Sequence, residues 1–382
     1  MDVITLIQLF LTNITTFILP FLVLISLVVF IHEYGHYYVA KKFGVGATDF
    51  SIGMGKELFG FNDKSGTRWK FCLIPIGGYV KFFGDRNVYS QAEQKKLLNQ
   101  YSPEDQKKLF AVKPLHQRAL VIVAGPAANF LLAIVIFTFI YMFAGKDFTP
   151  GKIDEVQENS PAEVIGLKKN DVIYSINDNK VKSITDISKY INTSTTEEIT
   201  LSVLRNDNEI FFKAKPKIIE TLDSLGNKIK KKVLGIEIVP LYNEFNKEKL
   251  GPTKALYYAV KETWFVTTSS LDFILSLLKG NGDVSQLGGP VKIAKITGQV
   301  AQYGIIAFLS ITAYISISLG LVNLFPIPIL DGGHLMFYAF EKILGRPLTK
   351  RTQEGFFRIG GFLLFSLILF ITINDIKDLG LF

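Results

Sequence analysis

Apolar residues gather in four stretches along the chain. Residues 17–31 carry no charge and run directly into a polar motif. Residues 119–143 are uncharged. Residues 305–330 are uncharged until they end at Asp331 and are broken by Pro326 and Pro328. Residues 359–373 form the fourth run. A helix that spans a bilayer needs about 20 apolar residues. The second and third runs meet this outright. The first meets it if its helix continues through the motif, and the fourth if Phe356 and Phe357 join it with Arg358 snorkelling to the interface. The pattern predicts four transmembrane helices, with buried core helices as the alternative for the two shorter runs. Between the runs the period changes. Residues 67–73 and 79–82 are aromatic and β-branched, bounded by Gly and Pro, and read as strands. Residues 150–218 alternate and are polar. Residues 253–278 read as an aromatic-rich helix containing Trp264 and interrupted by Lys254, Glu262 and Asp272. Those charges favour a place along the interface over a fifth span.

Composition agrees with this segregation. The 382 residues are 48% hydrophobic and 20% charged, with one cysteine. That is too apolar for a disordered chain, and Cys72 has no partner for a disulfide. Residues 1–16 contain no Lys or Arg, so they lack the basic start of a secretory signal, and the first helix is expected to be retained. Residues 41–118 hold 14 basic and 7 acidic residues. The loop between the third and fourth runs is also basic, with Lys342, Arg346, Lys350 and Arg351. In a four-span arrangement both loops fall on one side, which the positive charge marks as cytoplasmic. Both termini and the segment 144–302 then lie outside. The net charge of +8 is thus a topological signal. No basic–aromatic patch accompanies it, and no nucleic-acid partner is expected.

The chemistry lies where polar residues interrupt the apolar runs. The first run ends in His32-Glu33-Tyr34-Gly35-His36. Histidines at i and i+4 share one helix face and can reach one Zn²⁺, while the intervening Glu33 can take a proton from the attacking water. Ionisable residues within an apolar span are costly and therefore functional candidates. A hydrolytic zinc site usually takes three protein ligands. Asp331, at the end of the third run, is the candidate for the third. His32 stands about 22 Å along a helix from Phe17, and Asn323 about 27 Å from Ile305, so the two segments reach similar depth. One Zn²⁺ with Asp331, Glu33 and neutral histidines is formally neutral, which lowers the cost of burial. His116 reads as an interface residue and His334 as a neighbour of the site rather than a ligand. Pro326 and Pro328 break the helix, and irregular backbone at membrane depth is tolerated where it lines a cavity.

The His32–His36 motif, followed by Asn323-Leu324-Phe325-Pro326-Ile327-Pro328-Ile329-Leu330-Asp331-Gly332, resembles the site-2 protease family of intramembrane zinc proteases, and within it the bacterial branch that cleaves regulators of sigma factors. Supporting matches are Phe50-Ser51-Ile52-Gly53-Met54-Gly55-Lys56, the segment Ile74 to Lys81 with Gly77-Gly78, Ala124-Gly125-Pro126-Ala127-Ala128-Asn129-Phe130, and Gly289-Pro290-Val291-Lys292. The resemblance implies His32, His36 and Asp331 as zinc ligands, Glu33 as catalytic base, and Asn323 as a residue that holds the substrate backbone. It places Gly53, Gly55, Pro326 and Pro328 with Asn323 around the substrate. A strand edge beside the site could pair with an unwound substrate segment; a hairpin that only supports the fold is the alternative.

Residues 160–178, with Ser160-Pro161-Ala162, Gly166-Leu167 and Asn170-Asp171-Val172-Ile173, resemble a bacterial PDZ domain. Ser160 is placed as N-cap, Pro161 as first helical residue, and Gly166 as helix stop. Asn170 stands where the family has Gly and can adopt the left-handed turn. Only one such copy is expected, followed by a single strand at 233–239.

The expected fold is an α-helical polytopic membrane protein of about four transmembrane helices, with a cytoplasmic membrane-associated β-loop and one extracytoplasmic PDZ domain. The expected divisions are 1–40, 41–115 (β-loop), 116–144, 145–240 (PDZ domain and following strand), 241–304 (interfacial), 305–345 and 346–382. The resemblance implies a bacterial inner-membrane endopeptidase acting on transmembrane proteins such as anti-sigma factors or signal-peptide remnants, with peptide or substrate ectodomain contact at the PDZ domain. A metal transporter and a catalytically silent PDZ scaffold are the competing readings.

Overall fold

The computed structural model describes residues 14–84, 101–222, 227–280, 282–284 and 287–378. The stretch on which the retained N-terminus rests (1–13), part of the expected β-loop region (85–100) and the last four residues lie outside the described residues.

The main helices are α1 Leu19–Lys42, α2 Leu115–Phe143, α3 Pro161–Val164, α4 Ile184–Thr193, α5 Pro252–Leu278, α6 Pro290–Ala301, α7 Ile305–Asn323, α8 Asp331–Leu344 and α9 Lys350–Asp378. The strands are β1 Ala47–Asn62, β2 Arg68–Phe82, β3 Lys146–Asp147, β4 Gly151–Val156, β5 Val172–Ile176, β6 Asn179–Lys180, β7 Ile199–Arg205, β8 Asn208–Ala214, β9 Lys217–Leu222, β10 Lys228–Val233, β11 Ile236–Pro240 and β12 Lys247–Glu248. Among the described residues, four helices are long and apolar enough to cross a membrane: Ile14–Lys42, Leu115–Phe143, Ile305–Asn323 and Lys350–Lys377. These are the four runs expected from the sequence. The chain divides into two units, Met1–Ile136 with Gly288–Phe382, and Phe137–Leu287.

In the first unit the third apolar run does not continue as a helix to residue 330. It stops at Asn323, crosses an irregular segment holding Pro326 and Pro328, and restarts as α8 at Asp331. Each proline lacks the N–H that a continuing helix would need. The restart is tight: a Cβ on Gly332 would stand 2.2 Å from the carbonyl oxygens of Leu324 and Phe325, and one on Gly333 would stand 2.3 Å from that of Ile327. Only glycine allows α8 to begin so close under the loop. At the other end of α8, Glu341 receives a two-pronged hydrogen bond from buried Arg118 at the start of α2 (2.7 and 3.1 Å), a geometry suited to a guanidinium fork.

The predicted strand pieces 67–73 and 79–82 are one strand, β2, paired antiparallel with β1. Register shifts interrupt the ladder: Met54 faces Ile74 and Ile52 faces Gly78. Residues 75–77 are the extra length, which explains why Pro75 and the glycines read as a break. The hairpin base packs on α1 through Phe50, Tyr37 and Trp69, with the Phe50 and Trp69 rings stacked at 4.2 Å. Asp63 ties the hairpin to α1 by accepting from Tyr37 Oη (2.8 Å) and Trp69 Nε1 (3.1 Å).

The second unit holds a sheet in the order β11-β4-β5-β7-β8, with β6 beside β5 and all pairings antiparallel. Its core includes Ile153, Leu167, Ile176, Ile187, Leu201 and Leu234. Ser160 caps α3, Gly166 takes a left-handed φ of 79°, and Asn170 does the same at 71°, as the sequence predicts. The single strand expected at 233–239 is instead the end of β10 and the whole central part of β11, separated by Gly235 at φ 77°. Buried Leu234 belongs to the sheet's own core, so this segment closes the same domain. The predicted helix at 253–278 is α5, whose small residues Ala255, Ala259 and Thr263 are buried. Glu262 accepts from Lys189 of α4 through both oxygens at 2.7 Å.

Candidate metal centre

His32 and His36 lie one turn apart on α1, both buried, and Asp331 is the first residue of α8. His32 Nε2 and His36 Nε2 are 3.2 Å apart. Asp331 Oδ2 lies 3.1 Å from the first and 3.5 Å from the second. Tetrahedral zinc with ligands at about 2.0–2.2 Å separates them by about 3.3 Å, so the three atoms already form one face of such a site. Two further observations support the fit. His36 Nδ1 lies 2.8 Å from the carbonyl of Val121; a carbonyl only accepts, so Nδ1 carries the proton and Nε2 presents its lone pair inward. Asp331 Oδ2 is buried and accepts no hydrogen bond among the described residues, an expensive state unless a cation takes that place.

The space for His36 is made by glycine. A Cβ on Gly35 would stand 2.3 Å from the Ala124 carbonyl oxygen, and one on Gly125 would stand 2.2 Å from His36 Nε2. The α1 and α2 backbones therefore cross in near contact beside the metal-binding face. On α7, a Cβ at Gly320 would lie 3.1 Å from the Pro126 carbonyl oxygen, a looser but still tight approach of this helix to α2.

A cleft of about 360 Å³ opens beside these atoms, lined by His32, Glu33, His36, Asn323, Asp331 and His334 and by residues 77–80 of β2. Glu33 is turned about 100° from His32 on the helix and faces the strand, where its Oε2 accepts from the Val80 N–H at 3.1 Å. Of the residues singled out in the sequence, the structure thus brings His32, Glu33, His36, Asn323 and Asp331 to one cleft. Gly53 and Gly55 do not line it; they sit in β1 at φ 85° and 88°, where Gly53 allows β2 to approach. Pro326 and Pro328 do not line it either. Pro328 packs on Gly360 of α9, where a Cβ would meet its ring at 2.7 Å. His334 borders the cleft, and His116 is exposed, at the start of α2.

One residue was missed. Asn129 on α2 is fully buried, and its side-chain amide lies 3.2 Å from His32 Nδ1. The signal was present: it is the one amide in the uncharged run 119–143, and a polar side chain inside a span asks for a partner.

The model of peptidase family M50 matches residues 20–367. The chain belongs to that family. This M50 peptidase is similar along nearly its whole length to bacterial proteins named as zinc metalloproteases. A protein of Agrobacterium fabrum is 41% identical over 365 residues, covering 96% of this chain and 97% of the relative. One from Rickettsia conorii is 37% identical over 363 residues, covering 95% and 99%. The metalloprotease MmpA of Caulobacter vibrioides is 33% identical over 382 residues, covering 94% and 95%. The M50 peptidase described here is a zinc metalloprotease, and its four apolar helices fit a protein of the inner membrane.

Proposed function

We propose that this peptidase hydrolyses peptide bonds within or near transmembrane segments, with His32, His36 and Asp331 as zinc ligands and Glu33 as catalytic base. The observation that carries this is the convergence of Nε2, Nε2 and Oδ2 within 3.5 Å, with both histidines on a helix of spanning length, at a cleft shared with Glu33. Zinc, when bound, supplies Lewis-acid polarisation of the scissile carbonyl and acidifies water. Glu33 removes the proton of the attacking water and returns it to the leaving amine. Asn323, at the end of α7 and in the cleft wall, is placed to hold a substrate backbone amide. Gly53, Gly55, Pro326 and Pro328 then act through the backbone shape of the hairpin and of the loop before Asp331.

A helical substrate has its amides already paired, so the scissile bond must be unwound. The β2 edge at the cleft offers the means: Val80 turns its N–H to Glu33 and the cleft, and an unwound segment can add to that edge as a strand. The sheet with α3 and α4 supports a PDZ-type domain, which either grips a substrate end or limits access by size. The outward residues of α5, including Leu256, Val260, Trp264 and Leu275, are exposed and suit a membrane interface. The excess of Lys and Arg in the loops supports a site toward the cytoplasm and a domain outside. Anti-sigma factors and signal-peptide remnants fit this arrangement as substrates, as in the sigma-regulating branch of the site-2 proteases.

The test is Glu33→Gln in purified protein with a transmembrane reporter substrate. Zinc remains bound and cleavage is lost. Undiminished cleavage would sink the assignment of the base, and zinc flux into liposomes would revive the transporter.

A further inference from the structure

We infer that Asn129 is a positioning residue for the metal site: its side-chain oxygen accepts a hydrogen bond from His32 Nδ1–H and so holds that ring as the tautomer whose Nε2 is bare toward the metal. The inference rests on the zinc-site reading above and deepens it.

The two histidines pose the same problem and meet different answers. Each neutral imidazole carries one proton, and a ring that ligates through Nε2 must carry it on Nδ1. For His36 the acceptor is the Val121 carbonyl at 2.8 Å. For His32 the group at Nδ1 is the Asn129 amide, 3.2 Å away and fully buried. Asn129 Nδ2 faces the ring, while Oδ1 has no partner among the described residues. The two ends of an amide are nearly the same size, and a half-turn exchanges them. With Oδ1 toward the ring, the Nδ1 proton gains an acceptor and Nε2 is left with its lone pair. With Nδ2 toward the ring, Nδ1 must accept, Nε2 must carry the proton, and that nitrogen has no lone pair left to give a metal. The ligand set therefore selects the oxygen-inward amide.

The α2 backbone at Asn129 packs against α7 at two points. Ser316 Oγ of α7 donates to the Asn129 backbone carbonyl at 2.8 Å. Gly320, one turn further on, lets α7 approach so closely that a Cβ would lie 3.2 Å from the Asn129 Cβ. Asn129 thus links the metal face of α1 to both α2 and α7. Packing alone would not require an amide there, since an apolar residue of like volume fills the same space without the cost of a buried dipole.

The test reads zinc affinity rather than turnover. The full chain is purified in detergent, stripped of metal, and titrated with zinc against a chromophoric chelator. Asn129→Ala is expected to weaken zinc binding by about 10–100-fold. Asn129→Asp, which keeps an oxygen at the same place, restores affinity to within about threefold of the parent by the same reasoning. Ser316→Ala, which loosens the helix junction without touching His32, keeps parental affinity. Should the alanine variant fail to fold, Asn129→Leu gives the same comparison with the branched shape and heavy-atom count kept. The inference is overturned if Asn129→Ala or Asn129→Leu binds zinc as tightly as the parent, if Asn129→Asp is as weak as they are, or if Ser316→Ala loses as much. His32→Ala keeps the two readings apart: if it binds zinc like the parent, the ligand assignment itself has failed.

Discussion

The Gly125→Ala substitution tests the geometry of the site without removing any group that does chemistry. The added Cβ would lie 2.2 Å from His36 Nε2, 2.5 Å from Cε1 and 2.8 Å from Cδ2. Non-bonded carbon contacts settle near 3.5–4.0 Å, so the ring or the helix must move by more than about 1 Å to reach that separation. The ring has little room, because Nδ1 is tied to Val121 on α2 itself. The helices have as little, because Gly35 already sits against the Ala124 carbonyl. Overpacking of this kind costs about 1–3 kcal/mol in stability. The larger effect falls on the metal, whose ligands must lie within about 0.2 Å of their preferred distances. A misplacement of about 1 Å at a catalytic centre costs on the order of 10²-fold. Zinc affinity should therefore fall by about that factor, with cleavage following it at limiting zinc. The assay is bound zinc per chain after equilibration against buffered zinc, with circular dichroism to confirm that the helices persist. Gly355→Ala is the matched control. It lies on α9 with nothing within 4 Å of its Cβ position, and should be neutral or stabilising by up to about 1 kcal/mol. Parental zinc affinity in Gly125→Ala would refute the argument that this glycine makes room for the ligand.

Two further predictions concern the hairpin. Val80→Pro removes the N–H that faces the cleft, and it should reduce cleavage of a helical transmembrane substrate far more than that of a short unstructured peptide. An equal loss on both would show that the strand serves Glu33 alone, and no loss would end the pairing idea. Burial would raise the carboxyl of Asp63, but hydrogen bonds from Ser65, Trp69, Thr67 and Tyr37 outweigh it and hold the group well below the usual carboxylate range. A carboxyl shifted downward on folding stabilises the hairpin fully above its unfolded value of about 3.9, and this is lost as pH falls from there toward the folded value. In a Trp264→Phe background Trp69 is the remaining tryptophan, and its emission should hold steady down to about pH 4 and shift red below it. Asp63→Asn should show the shifted emission already at neutral pH; unchanged emission at every pH would refute the tie.

The four spans were legible because hydropathy over about 20 residues is a property of composition, indifferent to what the helix packs against. The His32–Glu33–His36 spacing was legible because it is local to one helix. Apart from the resemblance, Asp331 was reachable through a depth argument, and the structure brings its carboxylate to the histidines as that argument requires. What was hidden depends on contacts between segments. The sequence showed Pro326 and Pro328 as breaks but not the restart of α8, whose first turn is set by Gly332 and Gly333 under the carbonyls of residues 324–327. β2 looked like two strands because its extra residues at 75–77 are absorbed by a register shift against β1. The strand expected at 233–239 failed for the opposite reason: Gly235 splits it, and only the β4 partner shows where β11 belongs.

The glycines and the polar residues in the spans are two halves of one device. A buried ligand set carried by α1 and α8 and backed by α2 and α7 needs these backbones closer than ordinary side chains permit, since interaxial distances of 8–10 Å are set by the residues at the contact. At this site the residues at the contacts are Gly35 and Gly125 between α1 and α2, Gly320 between α2 and α7, and Gly332 beneath the loop that carries Asp331. Close approach then leaves polar groups facing one another across the helices: His36 meets Val121, and His32 meets Asn129. In hydrocarbon such contacts are retained because the alternative is an unpaired dipole. Each glycine sets a distance, and the polar pair beside it sets an orientation. Removing either should disturb the metal before it unfolds the helices, because the apolar faces that hold the spans together lie elsewhere on the same segments.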